Sequence, residues 1–528
     1  MEMTNQNDEE NKFKCLLEYF VSHLEYAETE NQNSRGFEEY IRPIDEFTRN
    51  TKGEKNYNKV QNQINNWSKY SLGDISITVS GATSRRYMGD ACFLNWKHSR
   101  VNIVAEWDKE AEKITDLSIA INEVKKKGTE SIRKKTLKIE ELGLFNKGPV
   151  NKSFKEFFEE YKNCYQEYKK AKENEQMENI KTLLINNHNI ILHGAPGTGK
   201  TYLAKQIAKD LIFTKEEHDL IDKKESDIAE ADKPKHKELK ELFNKRCGFV
   251  QFHQSYDYTD FVEGLRPVKN GTDIGFELRP GVFKEFCKEA LEKMNESVTV
   301  SIAGESREIK MPFVFIIDEI NRGEMSKIFG ELFYSSDPGY RVKNEDLENG
   351  KIPFAIQTQY SNLQEKPNKF DEKLKIENKE ENKGKYGHFF VPENVYIIGT
   401  MNDIDRSVES MDFAMRRRFA FEEISADNRV DMLEELEDKQ LIADAKNKMK
   451  ELNEGIEKID GLTSAYHIGP AYFLKLKNYK GDFDLLWEYH IEGVVMEYLR
   501  GMDNAEKSLI ELKKAYFGAK SVDENHNN

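Results

Sequence analysis

Residues 189–201 read Asn-Ile-Ile-Leu-His-Gly-Ala-Pro-Gly-Thr-Gly-Lys-Thr, and this stretch decides the fold. The apolar run at 189–193 predicts a strand, and the apolar spacing after the stretch predicts a helix over 202–212. Between them lies the pattern G-x-x-x-x-G-K-T of a phosphate-binding loop, in which glycines let backbone N–H groups surround phosphates. A chance glycine-rich turn is the alternative, which the strand before it and the helix after it disfavour. We therefore expect a nucleoside triphosphate to be bound by Gly194, Ala195, Pro196, Gly197, Thr198, Gly199, Lys200, Thr201 and Tyr202.

Two carboxylates follow a second strand. Residues 313–317, Phe-Val-Phe-Ile-Ile, are continuously apolar, as a strand buried on both faces must be. Asp318 and Glu319 come at its carboxyl end, the edge where ligands bind in open α/β sheets. We expect Lys200 to reach the β- and γ-phosphates, Thr201 and Asp318 to ligate Mg²⁺, and Glu319 to orient or deprotonate the attacking water. Solvated loop charge is the alternative for the acidic pair.

A third strand, residues 395–399, ends in Thr-Met-Asn. If this strand lies between the other two, Asn402 can reach the γ-phosphate or its water, and we predict it to be the sensor. Three arginines follow at 416–418, at the end of a predicted helix. They are either a solvated basic face or, in a ring of subunits, a source of arginine fingers that project into the neighbour's phosphates.

The pattern of elements predicts three domains. Residues 1–165 combine helical spacing with strands of period two, which indicates a mixed α+β N-terminal domain. Residues 166–425 alternate short apolar strands with longer helical segments, which is typical of an α/β domain with a parallel central sheet. Residues 426–528 return to helical periodicity and end in a polar tail, which predicts a small helical domain. Within the α/β domain, the polar stretch 341–388 is expected to be an extended loop or hairpin.

Composition limits the classes of function. The net charge of −15 over 528 residues argues against a protein that coats nucleic acid over its whole surface. Residues 51–150 carry 18 Lys and Arg against 12 Asp and Glu, so a local basic face remains possible there. No apolar run approaches the roughly 20 residues of a membrane helix. Five scattered cysteines without C-x-x-C spacing suggest reduced thiols, so we expect a cytoplasmic protein with no membrane association.

The order of these motifs resembles that of AAA+ proteins, P-loop NTPases that carry a helical lid after the sheet. The segments between the motifs resemble one branch more closely, the McrB subunits of modification-dependent, McrBC-type restriction systems. The resemblance spans roughly residues 186–500. It rests on residues 251–264 (Gln-Phe-His-Gln-Ser-Tyr-Asp-Tyr-Thr-Asp-Phe-Val-Glu-Gly), Phe283, 318–323 (Asp-Glu-Ile-Asn-Arg-Gly), 399–407 (Gly-Thr-Met-Asn-Asp-Ile-Asp-Arg-Ser) and 468–473 (Ile-Gly-Pro-Ala-Tyr-Phe).

This resemblance implies a GTP-hydrolysing motor with Mg²⁺, assembled as a hexameric ring, that drives a separate McrC-like nuclease subunit in defence against foreign DNA. It also implies that Arg417 and Arg418 are the fingers. One departure concerns the sensor loop, where the family commonly has Met-Asn-Thr-Ala-Asp-Arg-Ser and this chain has Asp403 and Ile404 in place of Thr-Ala. No residue selects guanine over adenine by a physical argument, so ATP remains open as the substrate.

The N-terminal domain is expected to recognise DNA, possibly modified DNA, because aromatic side chains can stack on a flipped base and arginines pair with phosphate. The alternative is that the aromatics are core and the arginines are solvated surface. The candidates are Trp67, Tyr70, Arg85, Arg86, Tyr87, Trp96 and Trp107.

Two other functions stay open for the whole chain. One is a MoxR-like AAA+ ATPase chaperone that remodels protein complexes, although residues 251–264 and the sensor loop favour the McrB branch. The other is a non-nucleolytic defence sensor, whose N-terminal domain recognises a protein of the invader. The chain itself has no convincing carboxylate cluster or H-x-x-x-H pattern of a nuclease.

Overall fold

The strand that precedes the phosphate loop lies inside a parallel sheet, as the apolar run at its centre requires. The structure is a computed structural model, and its contacts divide the chain into two units, residues 1–175 and 176–528. It describes residues 2–22, 24–28, 39–43, 75–80, 91–96, 100–108, 113–125, 128–146, 149–270, 273–302, 305–349, 354–382, 384–404 and 413–518.

The first unit is built on a five-stranded antiparallel sheet, whose strands follow one another in chain order. One face packs against two helices, and Phe13 of the first helix stacks on Phe158 of the last, with ring centroids 4.4 Å apart. The elements are α1 (Glu2–Ser22), β1 (Leu24–Glu28), β2 (Glu39–Pro43), β3 (Ile75–Ser80), β4 (Ala91–Trp96), β5 (Val101–Asp108), β6 (Lys113–Lys125), β7 (Gly128–Lys138), α2 (Ile139–Leu142) and α3 (Lys152–Asn187), whose last residues belong to the second unit.

The second unit contains a five-stranded parallel sheet, with β8 (Asn189–His193), β9 (Cys247–Gln251), β14 (Phe313–Asp318), β17 (Val395–Thr400) and β18 (Ala420–Glu423). The strand order is β18-β8-β17-β14-β9. The third predicted strand, β17, therefore does lie between the strand of the phosphate loop and the strand of the acidic pair. Apolar side chains cover both faces of this sheet, so the α/β domain with a parallel central sheet predicted from the sequence is confirmed.

The helices and hairpins between these strands are short. They are α4 (Lys200–Ile212), α5 (Lys215–Ile221), α6 (Lys233–Arg246), α7 (Tyr258–Phe261), the hairpin β10 (Glu263–Asn270) and β11 (Asp273–Pro280), α8 (Val282–Glu292), the hairpin β12 (Ser297–Ile302) and β13 (Glu305–Lys310), α9 (Met325–Phe329), α10 (Leu332–Ser335), α11 (Asn344–Glu348), β15 (Ile356–Gln357), α12 (Lys369–Lys373), β16 (His388–Phe389) and α13 (Phe413–Arg416).

The stretch 341–388 is more ordered than a single extended loop. It folds into short helical turns and a two-residue pairing of β15 with β16. The buried carboxylate of Asp371 accepts hydrogen bonds from the backbone N–H groups of Asn368, Gly387 and His388, and this satisfies donors that a buried loop would otherwise leave unpaired. A polar side chain of this stretch, Asp371, therefore provides hydrogen bonds that hold its own backbone in place.

The residues after the sheet form a helical lid with its own apolar core around Trp487 and Tyr516. Its helices are α14 (Lys439–Glu457), α15 (Pro470–Phe473), α16 (Phe483–Leu486), α17 (Glu492–Leu499) and α18 (Ala505–Phe517), with a 3₁₀ segment at Asp427–Leu436 and a π turn at Trp487–Ile491. Within the described part of the chain, no helix has the length and apolar character needed to cross a membrane.

Candidate functional site

The phosphate loop turns sharply between β8 and α4. Gly194, Gly197 and Gly199 have φ angles of 138°, 78° and 77°, a region that glycine enters without steric cost. At Gly194 a side chain would also collide with the backbone, since an added Cβ would lie 2.5 Å from the carbonyl oxygen of Ile424. Positive φ angles and, at Gly194, the close approach of the backbone therefore require glycine at these positions.

Lys200 lies at the centre of this loop and is almost fully buried. Its ammonium donates hydrogen bonds to the carbonyl oxygens of Gly194 and Ala195, at 3.1 and 2.7 Å. Thr198 is also buried, whereas Tyr202, on the first turn of α4, is exposed. The loop thus holds a buried cation between the strand and the helix.

Asp318 links the ends of two strands to the start of helix α4. Its Oδ1 accepts a hydrogen bond of 2.6 Å from the Thr201 hydroxyl and another of 2.6 Å from the Thr400 hydroxyl. Thr201 follows the phosphate loop, Asp318 ends β14, and Thr400 ends β17. The predicted pair of Mg²⁺ ligands is therefore adjacent in space.

Glu319 has a strained backbone, with φ 50° and ψ 46° in the left-handed region. A residue other than glycine pays about 1–3 kcal/mol for such a conformation, which persists where neighbours enforce it. Its N–H donates to the Thr400 hydroxyl at 3.3 Å, and its Oε1 accepts from the Asn402 amide at 2.9 Å. Arg322 approaches the other carboxylate oxygen at 3.2 Å. The carboxylate is thus held from two sides next to the predicted sensor.

The sensor loop after β17 is tied to the phosphate loop. Met401 and Asp403 donate backbone hydrogen bonds to the carbonyl oxygens of Leu192 and Gly194. The Asp403 carboxylate also lies 3.0 Å from Nδ1 of His193, and this hydrogen bond raises the pKa of His193. Asp403, which departs from the family pattern, therefore has a specific contact in this chain.

The lid touches the phosphate loop directly. The N–H groups of Gly469 and Ala471 donate to the carbonyl oxygens of Pro196 and Gly197, both at 3.0 Å. An added Cβ on Gly469 would lie 2.2 Å from the carbonyl carbon of Gly197, so only glycine allows this approach. The lid segment 468–473 is therefore part of the site.

The three arginines at 416–418 differ in their exposure to solvent. Arg416 and Arg417 are exposed, whereas Arg418 is 7% exposed. The Arg418 guanidinium lies over the ring of Phe333 at 4.7 Å, and its Nε lies 3.7 Å from a carboxylate oxygen of Asp337. The two predicted fingers thus have different surroundings, and only Arg417 presents its side chain to solvent.

Three residues that lie in the recognised motifs, but to which the sequence assigned no role, complete the site. The Thr400 hydroxyl links the Asp318 carboxylate to the backbone N–H of Glu319. Arg322 contacts the Glu319 carboxylate, and His193 contacts the Asp403 carboxylate. The position of Thr400 at the end of a predicted strand was the available signal. In the N-terminal domain, Trp67, Tyr70, Arg85, Arg86 and Tyr87 lie outside the described residues, as do the side chains of Trp96 and Trp107.

The donor set at the meeting point of the strands fits Mg²⁺. A hydroxyl and a carboxylate oxygen converge there beside the phosphate loop. Mg²⁺ is usually held by one or two such protein oxygens together with phosphate oxygens and water. Thr201 and Asp318 are therefore the residues that would hold it.

Two family models match parts of the chain. Residues 236–419 match the AAA domain (dynein-related subfamily), and residues 172–244 match Novel STAND NTPase 3. The second match includes the phosphate loop, and the first includes the acidic pair and the sensor.

Two restriction proteins are similar in sequence. The Type IV methyl-directed restriction enzyme EcoKMcrB subunit of Escherichia coli K12 is 34% identical over 291 residues, which cover 54% of this chain and 47% of that protein. The Type II restriction enzyme BsuMI component YdiS of Bacillus subtilis 168 is 26% identical over 240 residues, 44% of this chain and 56% of that protein. The chain thus spans about half the length of the curated relatives it matches.

A crystal structure of a proposed ATPase from Cytophaga hutchinsonii is also similar, over 69% of this chain and 89% of that one, at 11% identity. Its TM-score of 0.24 is too low to support an argument.

Proposed function

Because this chain is a McrB-like AAA+ protein, we propose that it hydrolyses nucleoside triphosphates as the motor subunit of a restriction complex. The observation that carries the proposal is a hydrogen-bonded series that joins the ends of two parallel strands, β14 and β17, to the start of α4 beside the phosphate loop. Its members are Thr201, Asp318, Thr400, Glu319 and Asn402. Such a series fixes the distance between the proposed Mg²⁺ ligands, Thr201 and Asp318, and the residue proposed to bind the attacking water, Glu319. Phosphoryl transfer requires the metal and the water to be positioned relative to each other.

In the proposed mechanism, the loop N–H groups and Lys200 bind the phosphates. When bound through Thr201 and Asp318, Mg²⁺ neutralises charge on the phosphate oxygens. Glu319 accepts a proton from the attacking water or orients it, and Asn402 fixes the direction of the Glu319 carboxylate through their 2.9 Å hydrogen bond. The strained backbone of Glu319 keeps that carboxylate at the end of the strand.

The site is completed by a second subunit in this proposal. The exposed Arg417 enters the phosphate site of a neighbouring chain and stabilises charge that develops in the transition state. Such an arrangement requires a ring, and a hexamer is the assembly proposed from the resemblance to McrB.

The substrate and the partners are further parts of the proposal. GTP is favoured over ATP by the resemblance alone. A McrC-like nuclease subunit would supply DNA cleavage, and the N-terminal unit would recognise DNA. DNA recognition is supported by the E. coli relative, a methyl-directed restriction enzyme subunit, and by the excess of positive charge in residues 51–150.

The proposal is tested by measuring phosphate release from GTP and from ATP, with and without an added McrC-like nuclease subunit. We expect hydrolysis of GTP above that of ATP, and a higher rate when the nuclease subunit is added. A hydrolysis rate that does not change when the nuclease is added, but increases when an unfolded protein substrate is added, would instead support a remodelling chaperone. A chain that hydrolyses neither nucleotide would refute the proposal.

A further inference from the structure

The first residue of the phosphate-loop strand is a fully buried asparagine. The amide nitrogen of Asn189 donates to the carbonyl oxygen of Ser336 at 2.8 Å and to that of Arg418 at 3.0 Å. A buried amide that makes two hydrogen bonds to distant backbone groups fixes their mutual position, because losing it would leave both carbonyls unpaired. Asn189 thus ties the arginine cluster to the base of β8.

A buried arginine, Arg341, donates a hydrogen bond to the side-chain oxygen of the Asn189 amide. Nη2 of Arg341 donates to the Asn189 side-chain oxygen at 2.5 Å, and Nη1 donates to the carbonyl oxygen of Val395 at 3.2 Å. Burial lowers the pKa of Arg341 to about 10, so the side chain stays cationic at neutral pH. The position of Asn189 is therefore fixed by a charge-assisted hydrogen bond from a residue anchored on β17.

The side chain of Arg418 is fixed by the same region. It stacks on Phe333 and approaches Asp337, and both residues flank Ser336, whose carbonyl Asn189 holds. Asp337 in turn accepts a hydrogen bond from the N–H of Gly339, which orders the turn leading to Arg341. Residues of the same chain therefore contact both the backbone and the side chain of Arg418. The preceding residue, Arg417, is exposed to solvent.

We propose that Asn189, Arg341 and Arg418 form a buried clamp that positions the exposed Arg417 for a neighbouring subunit. The inference rests on the proposed function, because it assigns the trans-acting role to Arg417 and gives Arg418 a positioning role. The clamp fixes the arginine turn to the start of β8, the strand that leads into the chain's own phosphate loop. A displaced Arg417 would lower hydrolysis in the neighbour and leave the chain's own nucleotide site intact.

The test uses the full chain with Asn189→Leu, which keeps the side-chain volume and removes the hydrogen bonds. Nucleotide affinity should stay within about twofold of wild type, whereas hydrolysis by rings of the variant should fall about tenfold to a hundredfold, as small misplacements of catalytic groups do. The matched control is Arg500→Met, which removes an exposed arginine of the lid that pairs with Glu497 of its own helix turn, and it should hydrolyse at the wild-type rate.

Mixed rings separate positioning from a defect in the chain's own site. Chains with Glu319→Gln keep their arginines but should not hydrolyse, so a mixture with Asn189→Leu chains should regain activity at interfaces where Glu319→Gln supplies Arg417. Recovery supports the clamp. Wild-type hydrolysis by the pure variant, or no recovery in the mixture, overturns it. An inactive wild-type chain would instead refute the proposed function itself.

A second pair of variants tests the roles of the two arginines even if Asn189→Leu folds poorly. Arg418→Lys keeps the stem over Phe333 and a cation near Asp337, so it should retain more than about a third of the wild-type rate. Arg417→Ala should lose about a hundredfold or more, as expected for a finger. Equal loss in both variants, with unchanged thermal midpoints, would mean that Arg418 itself reaches the neighbour's phosphates, and the clamp would be wrong.

Discussion

The hydroxyl of Thr400 should be required for hydrolysis although it is not expected to touch the nucleotide. Thr400→Val removes this hydroxyl and keeps nearly the same shape in a residue that is 2% exposed. Two hydrogen bonds are lost, the donation to Asp318 at 2.6 Å and the acceptance from the Glu319 N–H at 3.3 Å. The perturbation is therefore confined to polar contacts between two strand ends.

The magnitude follows from these two contacts. A hydrogen bond to a charged group contributes about 1.5–3 kcal/mol and a neutral one about 0.5–1.5 kcal/mol. Asp318 is partly exposed, so water can replace one donor, and the free energy of unfolding should fall by about 2 kcal/mol. If the strained Glu319 relaxes, the rate constant should fall about tenfold to a hundredfold, since each 1.4 kcal/mol of lost transition-state stabilisation costs about tenfold.

The assay is phosphate release at saturating nucleotide, with nucleotide affinity and urea unfolding measured on the same samples. Thr400→Ser keeps the hydroxyl and should keep most of the activity. Thr358→Val is the matched control, because Thr358 is equally buried and donates to the carbonyl oxygen of Gly387 away from the site. It should lose about 1 kcal/mol of unfolding free energy without any change in rate.

A Thr400→Val chain that hydrolyses at the wild-type rate would show that Glu319 does not depend on this hydroxyl. Equal losses of rate in Thr400→Val and Thr358→Val would show that the effect is one of general stability. Either result would refute the reasoning from the hydrogen-bonded series.

Three further predictions concern the loop and its two neighbours. Lys200→Ala should abolish nucleotide binding in a fluorescence titration, and normal affinity would defeat the assignment of the phosphate loop. The hydrogen bond that His193 donates to the Asp403 carboxylate raises the folded-state pKa of His193. The stabilisation by this contact is therefore full below about pH 6.5 and is lost as pH rises through the raised value. Urea unfolding should therefore show that Asp403→Asn costs more stability at pH 6 than at pH 9, and a pH-independent difference would contradict this. Gly469→Ala should speed nucleotide release in stopped flow, because its methyl group would collide with the loop. Gly493→Ala, where nothing lies within 4 Å, should leave release unchanged.

The strands could be predicted because burial on both faces leaves a continuous apolar run in the sequence. Residues 313–317 and 395–399 each lie within one residue of the strand bounds in the structure. Local signals are also present in two stretches for which no element was predicted. Thr214 and Glu217 have the spacing of a capping box and cap α5. Residues 297–302 alternate with period two and form the hairpin strand β12.

The contacts that position the site could not be predicted, because they join residues far apart in the sequence. The side chain of Asn189 donates to the carbonyl oxygens of Ser336 and Arg418, which lie 147 and 229 positions further along the chain. A polar residue at the start of a strand is ordinary in any sequence, and only the fold brings these partners together. The left-handed backbone of Glu319 is equally hidden, since Glu has no special preference for that conformation.

The phosphate loop is held by hydrogen bonds from both the sensor loop and the lid. Asp403 donates to the carbonyl oxygen of Gly194, and Gly469 donates to that of Pro196. Lys200 also donates to Gly194, so a nucleotide that attracts its ammonium competes with this contact. A change in the loop on nucleotide binding must then alter the bonds to the sensor and to the lid together, because the same short backbone segment accepts all of them. The state of the nucleotide can in this way be transmitted to the lid through backbone contacts alone, and Gly469→Ala should uncouple the lid without removing any group that touches phosphate.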